Sequence, residues 1–376
     1  MKNILITGGA GFIGSYLCEE LFSKGYDITI LDNISPQIHP SWEGSFLYGK
    51  INNKCTFIKG DVCCKEDFIK ALNGVDAVIH LAAETGTGQS MYEVERYYKV
   101  NVQGTALLLD LLVNTAHNVK KVIIASSRAI YGEGKYRSRT SGVQYPGSRN
   151  SDDMVNGVFE LLDPITKEPM YMLATDEESK LHPSSIYGLT KLAQEQMVML
   201  MGKQLKIPSV ALRFQNVYGP GQSLANPYTG LLAVFSNRIR NGNPLDIYED
   251  GLETRDFVYI TDIIDSIILS LENENANYNT YNVGSGEATT ISKVAELMVK
   301  YFGIDVPINI SGRFRVGDIR HNCADLTRIK RDLNFEPKVN FERGLNHFVD
   351  WVNNEEKMED RYDQSMQEIM TKGLMK

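Results

Sequence analysis

Short, largely apolar runs recur along the first half of the chain, at Lys2–Thr7, Asp27–Leu31, Thr56–Ile58, Ala77–Leu81, Val122–Ala125 and Ser209–Arg213. Their length and β-branched content suit buried strands. Between them lie stretches with helical spacing, Ser15–Ser23 (Leu17 and Leu21 on one face), Tyr92–Ala116 and Ile186–Met201. The first five strands alternate with helices, which predicts an α/β fold built on a Rossmann-type, doubly wound parallel sheet. Ligands on such sheets bind at the C-terminal strand ends, and Gly8, Asp32, Asp61, Ala83 and Ser127 all fall at such ends. Turn residues across Asn216–Gly221 predict a boundary, with a domain over 1–218 and a smaller mixed α/β domain over 219–376. That second part shows helices at Leu231–Asn241, Ile263–Leu271 and Ile291–Phe302, strands at Asp246–Tyr248 and Arg255–Val258, and a strand ending at Tyr281–Gly284. Segments such as 255–265 are open to a return to the first domain. Two stretches lack clear periodicity. Glu133–Pro183 is about fifty residues of Gly, Ser, Arg, Asn and Asp, too long for an idle loop in a compact domain. From Glu356 the chain is charged and Met-rich and reads as a loose helical tail.

Composition narrows the classes. Apolar residues make up 43% of 376, ample for a core, and the net charge of -8 argues against a general nucleic-acid surface. Five cysteines (18, 55, 63, 64, 323) show no CxxC spacing, and adjacent Cys63 and Cys64 cannot form an ordinary bridge, so free thiols in a reducing compartment are expected. None lies in 133–183, which excludes a zinc knuckle there, and no metal site is expected. The N-terminus runs directly into a strand, and no apolar run reaches the roughly 18 residues of a membrane span. The expectation is a soluble cytoplasmic protein without membrane or nucleic-acid partners.

The candidate chemistry starts at Gly8, Gly11 and Gly14, which follow the first strand and open the first helix. Such a turn allows tight reversal, close approach of a pyrophosphate to backbone, and close helix–strand packing. Asp32 ends the second strand 18 residues past Gly14, near the spacing of a carboxylate that bonds an adenosine ribose and repels a 2'-phosphate. NAD is therefore favoured over NADP. Asp61 falls where a strand-end carboxylate bonds adenine, with a plain turn or helix cap as the competing reading. Small residues at Ala82 and Ala83 let a cofactor lie against backbone, and His80 reads as a structural histidine inside its strand. Asn101 is a polar residue inside a helix and needs partners. Tyr187 and Lys191 share one helical face, and an ammonium near a phenol lowers its pKa from about 10.

These pieces together resemble the extended short-chain dehydrogenase/reductase family, within it the nucleotide-sugar epimerases and dehydratases. The matching segments are TGGAGFIG (7–14), LDN (31–33), GDV (60–62), HLAA (80–83), VNVQGT (100–105), SSRAIYG (126–132), YGLTK (187–191), RFQNVYGPG (213–221), RDFVYITD (255–262), YNVGSG (281–286) and RVGD (315–318). The resemblance implies NAD as a tightly bound cofactor, held by Gly8, Gly11, Phe12, Ile13, Gly14, Asp32, Asn33, Asp61, Val62, Leu81, Ala82, Ala83, Asn101, Tyr187 and Lys191. It implies Tyr187 as catalytic base, Lys191 on the nicotinamide ribose and Ser127 bonding the hydroxyl that is oxidised. It places Arg128, Asn216, Tyr248, Arg255, Arg315 and Asp318 against a nucleotide-sugar substrate, arginine suiting phosphate by its bidentate fork. A homodimer is implied too, since helices 92–116 and 186–201 carry more apolar surface than one sheet face needs.

Two departures refine the picture. The family's 4,6-dehydratases carry Thr-Asp-Glu where this chain has Ser127, Arg128 and Ala129, so elimination lacks its general acid and base. Ser127 and Tyr187 are also 60 residues apart, about twice the spacing of the simpler epimerases. Both features resemble 4-epimerases of deoxysugar nucleotides and imply inversion at C4 through a 4-keto intermediate, on a deoxyhexose such as dTDP-L-rhamnose. A dehydratase or a net dehydrogenase is the alternative enzyme. A non-catalytic NAD-binding scaffold is the alternative of another class, against which Ser127, Tyr187 and Lys191 argue.

Overall fold

A computed structural model describes residues 1–39, 41–226 and 230–375. Seven parallel strands form the main sheet: β1 (Asn3–Thr7), β2 (Asp27–Asp32), β3 (Thr56–Lys59), β4 (Ala77–His80), β5 (Lys121–Ser127), β6 (Ser209–Phe214) and β7 (Thr280–Val283). Their spatial order is β7-β6-β5-β4-β1-β2-β3. The order reverses between β1 and β4, where Thr7 pairs with Leu31 on one side and His80 on the other. That switch opens a crevice at the C-terminal strand ends. Strand side chains alternate between faces: Ile4 and Ile6 enter one apolar cluster and Leu5 the other. Both faces are thus covered, which explains the continuous apolar runs.

The second half of the chain is not cleanly separate. β7 lies beyond the expected boundary at 219 yet completes the sheet against β6. The return is therefore longer than 255–265. The apolar cluster that holds Ile4 and Ile6 continues through Leu232, Phe257, Ile291 and Phe348. Short parallel pairs, Asn216–Tyr218 with Phe257–Tyr259 and Leu245–Ile247 with Ile308–Ile310, build the rest. The expected strand at 246–248 is thus shifted by one residue.

Helix α1 (Phe12–Ser23) follows the glycine turn as expected. The helix expected over 92–116 runs without a break over 94–114 and widens midway: Val94–Tyr97 leads into a π-helical stretch, Tyr98–Gln103, and then α2 (Gly104–Asn114). The wider turn surrounds Asn101, whose Nδ2 donates to Glu84 O and Thr190 Oγ1 at 3.0 Å while its Oδ1 accepts from Glu84 N at 2.8 Å. Helix α3 (Ile186–Leu205) starts at a Ser185 cap whose Oγ accepts from Gly188 N.

Segment 133–183 is a small subdomain. Tyr136–Ser138 pairs antiparallel with Gly142–Gln144 and with Tyr171–Met172, over a core of Tyr136, Leu161 and Met170. It is fastened to the second half by buried charge. Arg149 forks onto Glu249 at 2.8 Å on both nitrogens, and Glu160 holds the fully buried Arg320 at 2.6 Å. The tail is not loose. Helix α4 (Ile260–Glu272) packs beside the sheet, and the chain ends in α5 (Tyr362–Thr371), whose Met366 and Ile369 are buried.

Candidate active site

One cavity of about 630 Å³ runs along the C-terminal strand ends. It reaches the glycine turn, the start of α3 and the second half of the chain. Of the residues singled out from sequence, Gly8, Gly11, Phe12, Ile13, Gly14, Asp32, Asn33, Asp61, Val62, Leu81, Ala82, Ala83, Ser127, Arg128, Tyr187, Lys191, Asn216, Tyr248, Arg255, Arg315 and Asp318 line it. Asn101 does not. It sits fully buried behind the wall, with its amide committed to Glu84 and Thr190, so its place is to hold the 84 loop against α3.

The glycine turn makes a cradle that side chains would fill. Gly8 has φ +68°, and a Cβ there would lie 2.7 Å from Ala82 N. A Cβ on Gly14 would lie 2.5 Å from Gly8 O, so helix and turn touch. Gly11 caps α1 without a side-chain hydrogen bond, and the first turn carries no acidic residue. Its N–H groups and the positive helix end are thus available to an anion. Asp32 accepts from Ala10 N at 3.0 Å and Ile34 N at 2.9 Å, which ties the end of β2 to the turn. Burial pushes its carboxyl up, against those N–H bonds and His39. Asp61 accepts from Cys63 N at 2.8 Å and Asn33 Nδ2 at 3.3 Å. These features fit a dinucleotide: an open cradle for its pyrophosphate, with carboxylates at the adjoining strand ends. His80 lies beneath, between Thr7 Oγ1 (2.7 Å) and Thr105 Oγ1 (3.0 Å), and burial pushes it down to about 3. It stays neutral and structural.

The centre of the cavity is built where β5 meets α3. Ser127 ends β5 and caps the turn Arg128–Tyr131, its Oγ accepting from Ala129 N at 3.1 Å. Gly188 lets α3 press on that turn, since a Cβ would lie 2.5 Å from Ala129 O. Tyr187 is thereby set beside Ser127, with its N–H on Ser90 Oγ at 3.0 Å. Burial raises the Tyr187 phenol above its ordinary value, and the Ser127 hydroxyl and the Arg128 guanidinium oppose that rise. The net direction differs from the lowering expected of the Tyr187–Lys191 spacing, because desolvation of the phenol outweighs the favourable neighbours. Lys191 is itself buried, which pushes its ammonium down to about 7 against the pull of Glu195. Glu195 is engaged elsewhere, accepting from Ser126 Oγ at 2.5 Å and Arg213 Nη2 at 2.5 Å. A cation that does bear on Tyr187 is Arg128, half-buried in the wall.

Beyond Tyr187 the wall turns cationic. Burial and the like charge of Arg255 push Arg128 down to about 10, while Asp318 and Tyr187 support its charge. Arg255 is braced by the carbonyls of Thr254, Arg320 and Ile319 at 2.8–3.0 Å. Arg315 pairs with Asp318 at 2.8 Å and lies over the Tyr248 ring, 5.4 Å from its centroid. Burial works against the Asp318 carboxylate, but Arg315, Arg255 and Arg128 hold it below the usual range. Guanidinium groups fixed in this way have the chemistry to take a diphosphate.

Sequence reasoning missed several lining residues, among them Glu84, Gln89, Gln215, Glu253, Tyr362, Met366 and Ile369. The repeated Thr-Gly of 85–88 next to HLAA signals close backbone approach. The spacing of Tyr362, Met366 and Ile369 (i, i+4, i+7) signals one helical face with a partner.

The chain is similar to known proteins along most of its length. The model of the NAD dependent epimerase/dehydratase family matches residues 4–151 and 166–284. The dTDP-L-rhamnose 4-epimerase of Burkholderia thailandensis is 37% identical, over 93% of this chain and 95% of its own. The UDP-N-acetyl-alpha-D-glucosaminuronate decarboxylase of Bacillus cytotoxicus is 28% identical over 93% and 97%. Among solved structures, the UDP-glucuronic acid 4-epimerase of Bacillus cereus, in complex with UDP-glucuronic acid and NAD, superimposes with a TM-score of 0.74 at 27% identity, covering 93% of this chain and 99% of that one.

Proposed function

We propose that this chain, which belongs to the NAD dependent epimerase/dehydratase family and takes NAD as its cofactor, inverts C4 of a dTDP-activated deoxyhexose, with dTDP-L-rhamnose as its substrate. The observation that carries this reading is one cavity holding Ser127, Tyr187 and Lys191 between a dinucleotide cradle and a guanidinium cluster. The 37% identity to a dTDP-L-rhamnose 4-epimerase supports the sugar and the base.

The residues would divide the work as follows. Gly8, Gly11 and Gly14 hold the pyrophosphate of NAD, and Asp32 and Asp61 its adenosine. Bound NAD supplies the hydride acceptor and donor that make the C4 carbon transiently a ketone. Tyr187 takes the C4 hydroxyl proton and later returns it, and Ser127 holds the same oxygen by a hydrogen bond. Arg128, close to both, favours the phenolate as the proton leaves. Lys191 bonds the nicotinamide ribose. Arg255 and Arg315 anchor the diphosphate, Asp318 and Tyr248 the nucleoside beyond it, and Asn216 the phosphate on the facing side. The hexose, free of such anchors, turns between the two hydride transfers and presents its other face. Ser127, Arg128 and Ala129 bring no carboxylate to C5 and C6, so water is retained.

The division into a cofactor part over 1–218 and a substrate part over 219–376 belongs to this reading, as does a substrate-side role for 133–183. So does a homodimer in the cytoplasm. Tyr98, Leu189 and Leu200 are 59%, 53% and 60% exposed on the helical face that a second copy would cover. Among the described residues no helix is long and apolar enough to cross a membrane. The test is to incubate purified protein, without added cofactor, with dTDP-L-rhamnose and a panel of UDP-hexoses. Proton NMR should show only the 4-epimer of dTDP-L-rhamnose accumulating to equilibrium. A dehydrated product, released NADH, or turnover of UDP-hexoses alone would refute it.

A further inference from the structure

The C-terminal helix lines the same cavity as the glycine turn. Tyr362, Ser365, Met366 and Ile369 of α5 all line it, and Met366 and Ile369 are each only 6% exposed. The helix is held in place from both ends. Before it, Asp360 pairs with Arg238 at 3.3 Å, and after it Leu374 O accepts from Val316 N at 2.9 Å. Its cavity face is linked to the anion site through one residue. Tyr248 Oη is 3.1 Å from Tyr362 Oη and 2.8 Å from Met366 Sδ, and the Tyr248 ring lies under Arg315. The order along the cavity is therefore Tyr187, the guanidinium groups, Tyr248, then α5.

A molecule with its sugar at Tyr187 and its diphosphate at Arg255 and Arg315 has its nucleoside at Tyr248 and α5. We propose that α5 is the wall of the nucleoside site and selects thymine over uracil, through contact of Met366 and Ile369 with the 5-methyl group. The inference rests on the nucleotide-sugar reading above and adds the element that chooses the base. The two bases differ there by one methyl. A hydrogen-bonding wall would be indifferent to it, whereas a thioether and a branched alkyl chain gain from burying it. Apolar pockets tell one such group apart by roughly tenfold or more.

The test uses NAD-loaded protein and two nucleotides that differ only in the methyl group, dTDP and dUDP, titrated by calorimetry. The expected result is that dTDP binds about tenfold tighter than dUDP. Met366→Ala with Ile369→Ala should bring the two within about twofold, with bound NAD unchanged. If that double variant does not fold, Ile369→Val, one methylene shorter, should lower the ratio two- to fourfold by the roughly 0.8 kcal/mol per methylene. Equal binding of both nucleotides by the wild type, or a ratio untouched by the variants, overturns the inference while leaving the nucleotide-sugar reading in place. Failure of both nucleotides to bind overturns that reading, and this inference with it.

Discussion

Arg149→Met tests whether buried charge fastens the 133–183 subdomain over the substrate half. The Arg149 side chain is 4% exposed and reaches five oxygen atoms: Phe159 O (3.2 Å), both oxygens of Glu249 (2.8 Å), Asp318 O (2.9 Å) and Glu133 Oε1 (3.3 Å). Its loss strips a partner from two carboxylates that are 5% and 2% exposed. Each keeps a second donor, since Arg320 Nη1 stays 2.9 Å from Glu249 and Arg320 N stays 2.8 Å from Glu133. The cost therefore lies at the low end of that for a broken buried pair, about 3 kcal/mol. For a chain of this size that lowers Tm by about 4 °C. Glu249 adds a second handle, because it holds φ +50°, a conformation that favours glycine. Glu249→Gly removes both the stranded charge and the strain. Arg149→Met with Glu249→Gly should then be less damaging than the sum of the single changes by at least about 1 kcal/mol. Scanning calorimetry gives the cycle, and the same samples give NAD content and sugar-nucleotide KM. KM should rise, because Asp318 is held by Arg149 and pairs with Arg315, while NAD content stays constant. A Tm within about 2 °C of wild type, an additive cycle, or lost NAD would refute the reasoning. Wholesale replacement of residues 138–178 is a poorer test, since it also unpairs Arg320 from Glu160.

Further outcomes follow from the same site. Tyr187→Phe should abolish turnover while bound NAD stays stoichiometric, and Lys191→Met should lower both; turnover of the phenylalanine variant within about tenfold of wild type would remove Tyr187 as the base. Cofactor extracted from purified protein should be NAD(H), and mostly NADP(H) would contradict the role of Asp32. Light scattering at micromolar concentration should show a dimer, and Leu200→Glu should shift it toward monomer; a monomeric wild type would contradict the proposed face. Glu253 is held by burial at about 7, above its ordinary 4.5, so between those values the folded chain binds the extra proton and loses stability as pH rises. Glu253→Gln should therefore stabilise the protein at pH 8 by about 1–2 kcal/mol and leave it unchanged at pH 4, as thermal melts at the two pH values would register.

Much was legible in the chain because it is encoded locally. Strand length, helical spacing and the glycine turn are properties of a few adjacent residues, and they located the sheet, the crevice and Gly8, Asp32, Asp61 and Ala83 at its strand ends. The family motifs added Ser127, Tyr187 and the arginines by position. What local pattern does not carry is juxtaposition. β7 joins the sheet from far down the chain because an open edge of β6 and a continuous core receive it. Asn101 is turned from the cavity because Glu84 and Thr190 meet behind it. Lys191 falls to about 7, and Tyr187 answers to Arg128, because burial and distance set a pKa and spacing along a helix does not. The tail reads as polar and loose by composition, yet Arg238 and Val316 give it a seat, and its apolar face then finishes the cavity. Local sequence determined which elements form and where the turns lie. The tertiary structure decided which buried groups meet, because desolvation and Coulomb energy depend on neighbours brought together from distant parts of the chain.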